Sequence, residues 1–127
     1  MSKSRKTGNF GEDVAVSFVR SKGYSIIDRN YHSRYGEIDI IAQEKNFLVF
    51  IEVKTRKENS MVKAFEAVDT IKQKKIIKTA MIYLMNNKVD LQPRFDVIEV
   101  LIKKSGNVKA VNQIENAFLG VEFNETF

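Results

Sequence analysis

Gly36-Glu37-Ile38-Asp39-Ile40-Ile41-Ala42-Gln43-Glu44, then Lys45-Asn46, then Phe47-Leu48-Val49-Phe50-Ile51-Glu52-Val53-Lys54-Thr55, is the stretch whose reading decides the fold. Both arms are rich in β-branched and aromatic residues, which suit a pleated, half-buried surface. The only polar break is Gln43 to Asn46, so the spacing predicts a tight hairpin with Lys45-Asn46 at its tip and Asn46 as the residue that tolerates positive φ. A turn centred there pairs Glu44 with Phe47, and the same register carried inward pairs Asp39 with Glu52. Strand side chains alternate, so Glu37, Asp39 and Ile41 share one face, as do Glu52 and Lys54. The expectation is two carboxylates directly opposite one another, with an ammonium beside them.

Like charges facing each other across a strand pair are destabilising, and burying them in apolar strands adds to the cost. A divalent cation turns that liability into a site. Magnesium and manganese take oxygen ligands from one or two carboxylates, waters and a phosphate. Asp39 and Glu52 are the candidate metal ligands, and the Val53 carbonyl is a further one. Lys54 is then placed to orient a water or offset developing negative charge. The competing reading is a solvent-facing Asp39–Lys54–Glu52 charge cluster on an open sheet face.

Outward from the hairpin, Phe10, Val14 and Phe18 recur at helical spacing beside Ala15 and Val19, predicting a helix over about Thr7 to Lys22 that stops at Gly23. A short strand over Tyr24 to Asn30 and a polar loop over Tyr31 to Gly36 lead into the hairpin. After a loop at 56–63, a long helix is expected from Ala64 or Val68 to Asn86. Its inward face would be Val68, Ile71, Ile77, Ala80, Met81 and Leu84. Strands over Arg94 to Ile102 and Lys109 to Asn112 complete the order αβββαββ, an α/β mixed sheet flanked by helices. The apolar tail from Ile114 to Phe127 fits helix, strand or partner surface. Glu12 sits early in the first helix. There it either complements the helix dipole or serves as a further acid at the hairpin site.

Composition narrows the chemistry. The 127 residues, 43% hydrophobic and 29% charged, suit one globular domain spanning 1–127. With no Cys and a single His, His32, there is no disulfide, thiol nucleophile, thiolate zinc site or His-pair metal site. No apolar run nears the roughly 18 residues that span a bilayer. The basic start leads into no apolar segment of the signal-peptide kind, so the expected location is cytoplasmic. The net charge of +5 is segregated. Seven basic groups face three acids in residues 1–35, and eight face three in residues 54–78, whereas the last sixteen residues hold three acids and no base. Clusters of this kind suit a polyanion partner, or are simply solvated helix faces.

Asp39, a twelve-residue gap, then Glu52-Val53-Lys54 resembles the PD-(D/E)xK nuclease motif, with Ile38-Asp39 in place of its Pro-Asp pair. The preceding helix with Glu12 makes it similar to archaeal Holliday-junction resolvases of that superfamily. Longer strings resemble the bacterial YraN family: Arg29-Asn30-Tyr31, Arg34 to Ala42, Leu48 to Arg56, Glu66-Ala67-Val68, Lys72-Gln73-Lys74-Lys75 and Arg94 to Ile98. The likeness runs from about Asn9 to Val100.

That resemblance implies a restriction-endonuclease-like fold and a metal-dependent nuclease using Mg2+ or Mn2+. Asp39, Glu52 and Glu12 would be the acids, Lys54 the catalytic lysine, and Gln73 a polar helix residue near the site. Basic groups would hold the backbone of a nucleic acid, DNA rather than RNA and in branched or recombining form. The candidates are Arg29, Arg34, Arg56, Lys57, Lys72 and Lys75, with His32 near the substrate. Tyr31 and Tyr35 either touch substrate or pack at the sheet edge. Because resolvases cut two strands symmetrically, a homodimer also follows as an expectation. The alternative from a different class is a non-catalytic nucleic-acid-binding protein that keeps the fold.

Overall fold

The computed structural model describes residues 10–59 and 68–118. In chain order these form α1 (Phe10–Ser21), β1 (Ser25–Ser33), β2 (Gly36–Glu44), β3 (Phe47–Lys57), α2 (Thr70–Asn86), β4 (Gln92–Ile102) and β5 (Val108–Ile114). The expected order αβββαββ is the observed one. The five strands form one sheet in sequence order, and every neighbouring pair is antiparallel except β3–β4. A parallel pair needs a crossover connection, and α2 supplies it. The expected helix start at 7–9, the expected loop at 60–63, a helix start at Ala64 and the tail beyond Phe118 lie outside the described residues.

Each sheet face buries one apolar layer. Ile40, Ala42, Val49, Ile51, Ile98 and Val100 pack with Ala15, Val16 and Val19 of α1. Ile41, Leu48, Phe50, Phe95 and Val97 pack with Ile76, Ile77, Ala80 and Tyr83 of α2. Since β3 and β4 are covered on both sides, they read as nearly continuous apolar runs. No helix among the described residues is long and apolar enough to cross a membrane.

Three expectations about the helices and the first turn are corrected. The inward row of α1 is Gly11, Ala15, Val16 and Val19, while Phe10 is half exposed. Small residues bring this helix close to the sheet, and a Cβ on Gly11 would stand 1.9 Å from Thr55 Oγ1. In α2, Ile71 is 68% exposed, whereas Ile76, Ile77, Ala80 and Tyr83 are buried. Six residues turn a helix by about 600°, so Ile71 and Ile77 cannot share one face. The expected loop at Tyr31–Gly36 shrinks to a turn at Arg34-Tyr35, because β1 continues to Ser33, which pairs with Gly36. His32 therefore lies on a strand.

Local signals set the element ends. Gly23, at φ 94°, closes α1 with hydrogen bonds from Gly23 N–H to Arg20 O and from Tyr24 N–H to Val19 O. Asp69 caps α2 by accepting from Lys72 N–H at 2.8 Å. In the hairpin turn it is Lys45, at φ 55°, that takes the left-handed conformation, and not Asn46, whose carbonyl accepts from Gln92 N–H at the start of β4.

Candidate active site

The β2–β3 ladder runs from Glu44↔Phe47 to Ile40↔Ile51, the register read from the sequence. Asp39 and Glu52 are the next residues on the two strands. Here a side chain replaces the ladder: Val53 N–H donates to Asp39 Oδ2 at 2.8 Å. Strict alternation lapses at the same point, because Ile38 packs with Ile41 on the α2 face rather than with Ile40. On the other side of β2, Arg29 pairs with Ile40 and Tyr31 with Ile38, so Asn30 lies across from Asp39. Asn30 adopts φ 56°, an uncommon conformation for a strand residue but one that asparagine tolerates. Its amide donates to Glu12 Oε1 at 3.1 Å, which ties the first turn of α1 to the sheet beside the acid pair.

Glu37, Asp39, Glu52, Lys72 and Lys75, with Gly36 and Ile76, line a cavity of about 160 Å3. Glu52 is nearly buried and accepts from two ammonium groups, Lys72 Nζ at 2.6 Å and Lys54 Nζ at 3.4 Å. Burial pushes the Asp39 carboxyl up to about 8, reinforced by the Glu52 charge and, further off, by Glu12, and opposed by the Val53 N–H. Glu12 is likewise raised, first by burial, despite hydrogen bonds from Asn30 and Arg29. Lys54 is lowered by burial and by its Lys72 neighbour. Burial pulls Lys72 the same way, but its bonds to Glu52 outweigh that and raise it. A carboxyl that burial raises this far within a cleft is a candidate functional group.

The donor set fits a hard divalent ion. Among the described residues no group of three acidic, His or Cys side chains is placed to enclose one. Two carboxylates with a neighbouring backbone carbonyl leave the remaining positions to water and phosphate, which is the habit of magnesium. Asp39, Glu52 and Val53 can hold such an ion, with Lys54 within reach of its ligands. Glu12 stands beside this group, turned toward Asn30 and Arg29.

A family model described as uncharacterised protein family UPF0102 matches residues 11–100, a span that contains every element of this site. The chain belongs to the UPF0102 family. A UPF0102 protein of Clostridium botulinum (strain Loch Maree / Type A3) is 44% identical over 117 residues, covering 91% of this chain and 95% of the relative. One from Caldanaerobacter subterraneus subsp. tengcongensis is 44% identical over 118 residues, covering 91% and 97%. The matched span of the UPF0102 domain ends inside β4, so the Glu12 helix, the hairpin and α2 all fall within it.

The other expected site residues divide. Lys72, expected at a phosphate, salt-bridges Glu52 at the cavity. Gln73, the polar helix residue implied near the site, donates to Val68 O at 3.0 Å and is absent from the cavity lining. One helical position, about 100° of rotation, separates the two. Arg29 is held by Asp13 at 2.8 Å and Glu12 at 3.5 Å. His32 pairs with Glu37 at 2.8 Å, and Arg56 with Glu99. Arg34 donates to the Tyr35 hydroxyl. Lys57 and Lys75 are exposed, and Lys75 lines the cavity rim. Asn30 and Glu37 were not taken as site residues from the sequence. An asparagine at the end of an expected strand was the available signal for the first, and the strand alternation that put Glu37 on the face of Asp39 was the signal for the second.

Proposed function

We propose that this protein is a metal-dependent nuclease that hydrolyses phosphodiester bonds, with DNA as the expected substrate. One observation carries the reading: Asp39 and Glu52 line one small cavity where the β2–β3 ladder gives way to a side chain, and Glu52 is met there by Lys72 and, from β3, by Lys54. The Asp39 carboxyl, which burial pushes up to about 8 in a cleft beside a second acid, supports the same reading.

Mg2+ or Mn2+, held by Asp39, Glu52 and the Val53 carbonyl, would supply Lewis acidity toward a water and toward the phosphate oxygens. The chain's own residues do the rest. Lys54, its proton loosened by burial, hydrogen-bonds the water that attacks phosphorus and holds it in line with the leaving oxygen. Lys72, on leaving Glu52, offsets the charge that grows on the phosphate oxygens. As the bond from phosphorus to the leaving oxygen breaks, Glu12, whose carboxyl burial raises, would accept the proton shed by the attacking water, and the leaving oxygen would take its proton from solvent. Lys75 at the rim positions the incoming backbone without reading its sequence.

The Lys72–Glu52 contact also supports a second reading, a non-catalytic nucleic-acid-binding protein, because it already satisfies the acid. The two separate in one assay. The protein is mixed with Mg2+ or Mn2+ and with duplex, branched and single-stranded DNA and RNA. Cleavage that disappears in Asp39→Ala, with binding retained, is the expected result. Tight binding with no cleavage on any substrate would establish the binder instead.

A further inference from the structure

Beside the acid cavity lies a second concavity of about 410 Å3, lined by Arg34, Tyr35, Ile71, Lys74, Lys75 and Lys78. The turn between β1 and β2 contributes the first two residues, and one face of α2 contributes the others. Ser33 and Thr79 fasten the two elements together through their hydroxyls at 2.8 Å. Lys75 lines both cavities, so the groove opens onto the rim of the acid site.

Its chemistry is mixed in a particular way. Four of the six lining residues are cations and none is an acid. The Tyr35 ring is ordered by Arg34, whose guanidinium lies 5.1 Å from the ring centre and donates to its hydroxyl at 3.0 Å, with Lys78 Nζ 5.2 Å from the same ring. Ile71 is the unexplained member: a large apolar side chain, 68% exposed, on a helix with a well-formed buried face elsewhere. Cations alone would serve any phosphate backbone. A duplex presents phosphates and sugars outward and keeps its base faces stacked inside, so it gains little from an aromatic ring and an isoleucine in a hollow. An unstacked base does gain, because every base has an apolar face.

We propose that this groove seats an unpaired nucleotide of the strand that enters the acid cavity. The base lies against Tyr35 and Ile71, and the flanking phosphates meet Arg34, Lys74 and Lys78, with Lys75 leading the backbone across to Asp39 and Glu52. The inference rests on the nuclease reading and deepens it. It names the substrate class as nucleic acid with a single-stranded segment next to the bond to be cut, such as an overhang, flap, loop or opened branch.

The test is binding in the presence of a chelator, so its outcome does not depend on hydrolysis. Labelled single-stranded DNA and the corresponding blunt duplex are titrated with the full-length protein at physiological salt, followed by fluorescence anisotropy. The wild type should bind the single strand more tightly than the duplex. Tyr35→Ala and Ile71→Ser should weaken single-strand binding by roughly 5- to 100-fold and leave the duplex within about twofold. Tyr35→Phe should retain the preference, and Lys78→Gln should weaken both ligands together. Thermal melts of the variants report folding independently, and Ile71 is exposed enough that Ile71→Ser remains folded. Equal affinity for the two ligands, or loss of single-strand binding no greater than that of the duplex in both Tyr35→Ala and Ile71→Ser, would overturn the assignment. Cleavage of duplex without this preference would leave the nuclease reading standing and remove only the groove. Single-strand preference without cleavage would do the reverse.

Discussion

Replacing Asp39 by Asn should make the metal-free protein more stable, and more so as the pH rises. The unfolded carboxyl ionises near 3.8 and the folded one near 8. Below pH 4 both states hold the proton and the wild type carries no penalty. As the pH climbs, the unfolded chain sheds its proton while the folded chain keeps it, so wild-type stability falls until the folded group also ionises at about 8. From 3.8 to pH 7 is about three decades of proton activity, at about 1.4 kcal/mol each, which sets a ceiling of about 4 kcal/mol. Water entering the cavity screens the charge, so a gap of about 1–3 kcal/mol is the expected size.

Asparagine keeps the useful contacts. Its carbonyl accepts from Val53 N–H, and its amide donates to Glu52 as the protonated acid does. The assay is thermal unfolding of both proteins from pH 4 to 8.5 in a chelator. Carboxylates that do not interact with Asp39 cancel in the difference. The midpoints should coincide near pH 4 and separate by about 4–12 °C at pH 7. A separation that is flat with pH, or an Asn variant less stable at pH 8, would refute the argument that burial holds a proton on this carboxyl.

Two further outcomes concern the frame around the site. Arg94 bonds Asp96 through two nitrogens and also reaches Glu44 and the Tyr24 hydroxyl, while Asp96 is fully buried. Arg94→Met should cost about 3–5 kcal/mol in urea unfolding, because it strands a buried charge, and adding Asp96→Asn should recover part of the loss. Gly11→Ala should cost about 1–3 kcal/mol and lower the melting temperature, because the new methyl meets Thr55 Oγ1. Thr55→Ala in the same chain should restore most of it; no rescue would mean that the helix itself, and not this contact, sets the distance.

The hairpin was legible in the sequence because its signals are local. A polar break between two β-rich arms fixes the turn, and the turn fixes the register as far as Ile40↔Ile51, which leaves Asp39 and Glu52 as the next residues on the two strands although strict alternation lapses there. Helix positions were harder to read. The Phe10-Val14-Phe18 row looks apolar enough to face inward, but the glycine and alanine beside it allow the closer approach to the sheet and take the buried place. Ile71 was misjudged for a related reason: hydrophobicity at one position does not say which rotation of α2 buries the most surface.

From the chain alone came the class of fold, the order of its elements and the acid pair with its lysine. Each of these depends on neighbours a few residues apart or on one strand register. Tertiary structure alone decided which cations answer the acids. Lys72 reaches Glu52 because the crossover helix lies over β2 at one rotation, and Asn30, left-handed within β1 beside Asp39, hydrogen-bonds Glu12. Those contacts join residues 18 and 20 positions apart, and no periodicity in the sequence encodes a distance across a packed interface.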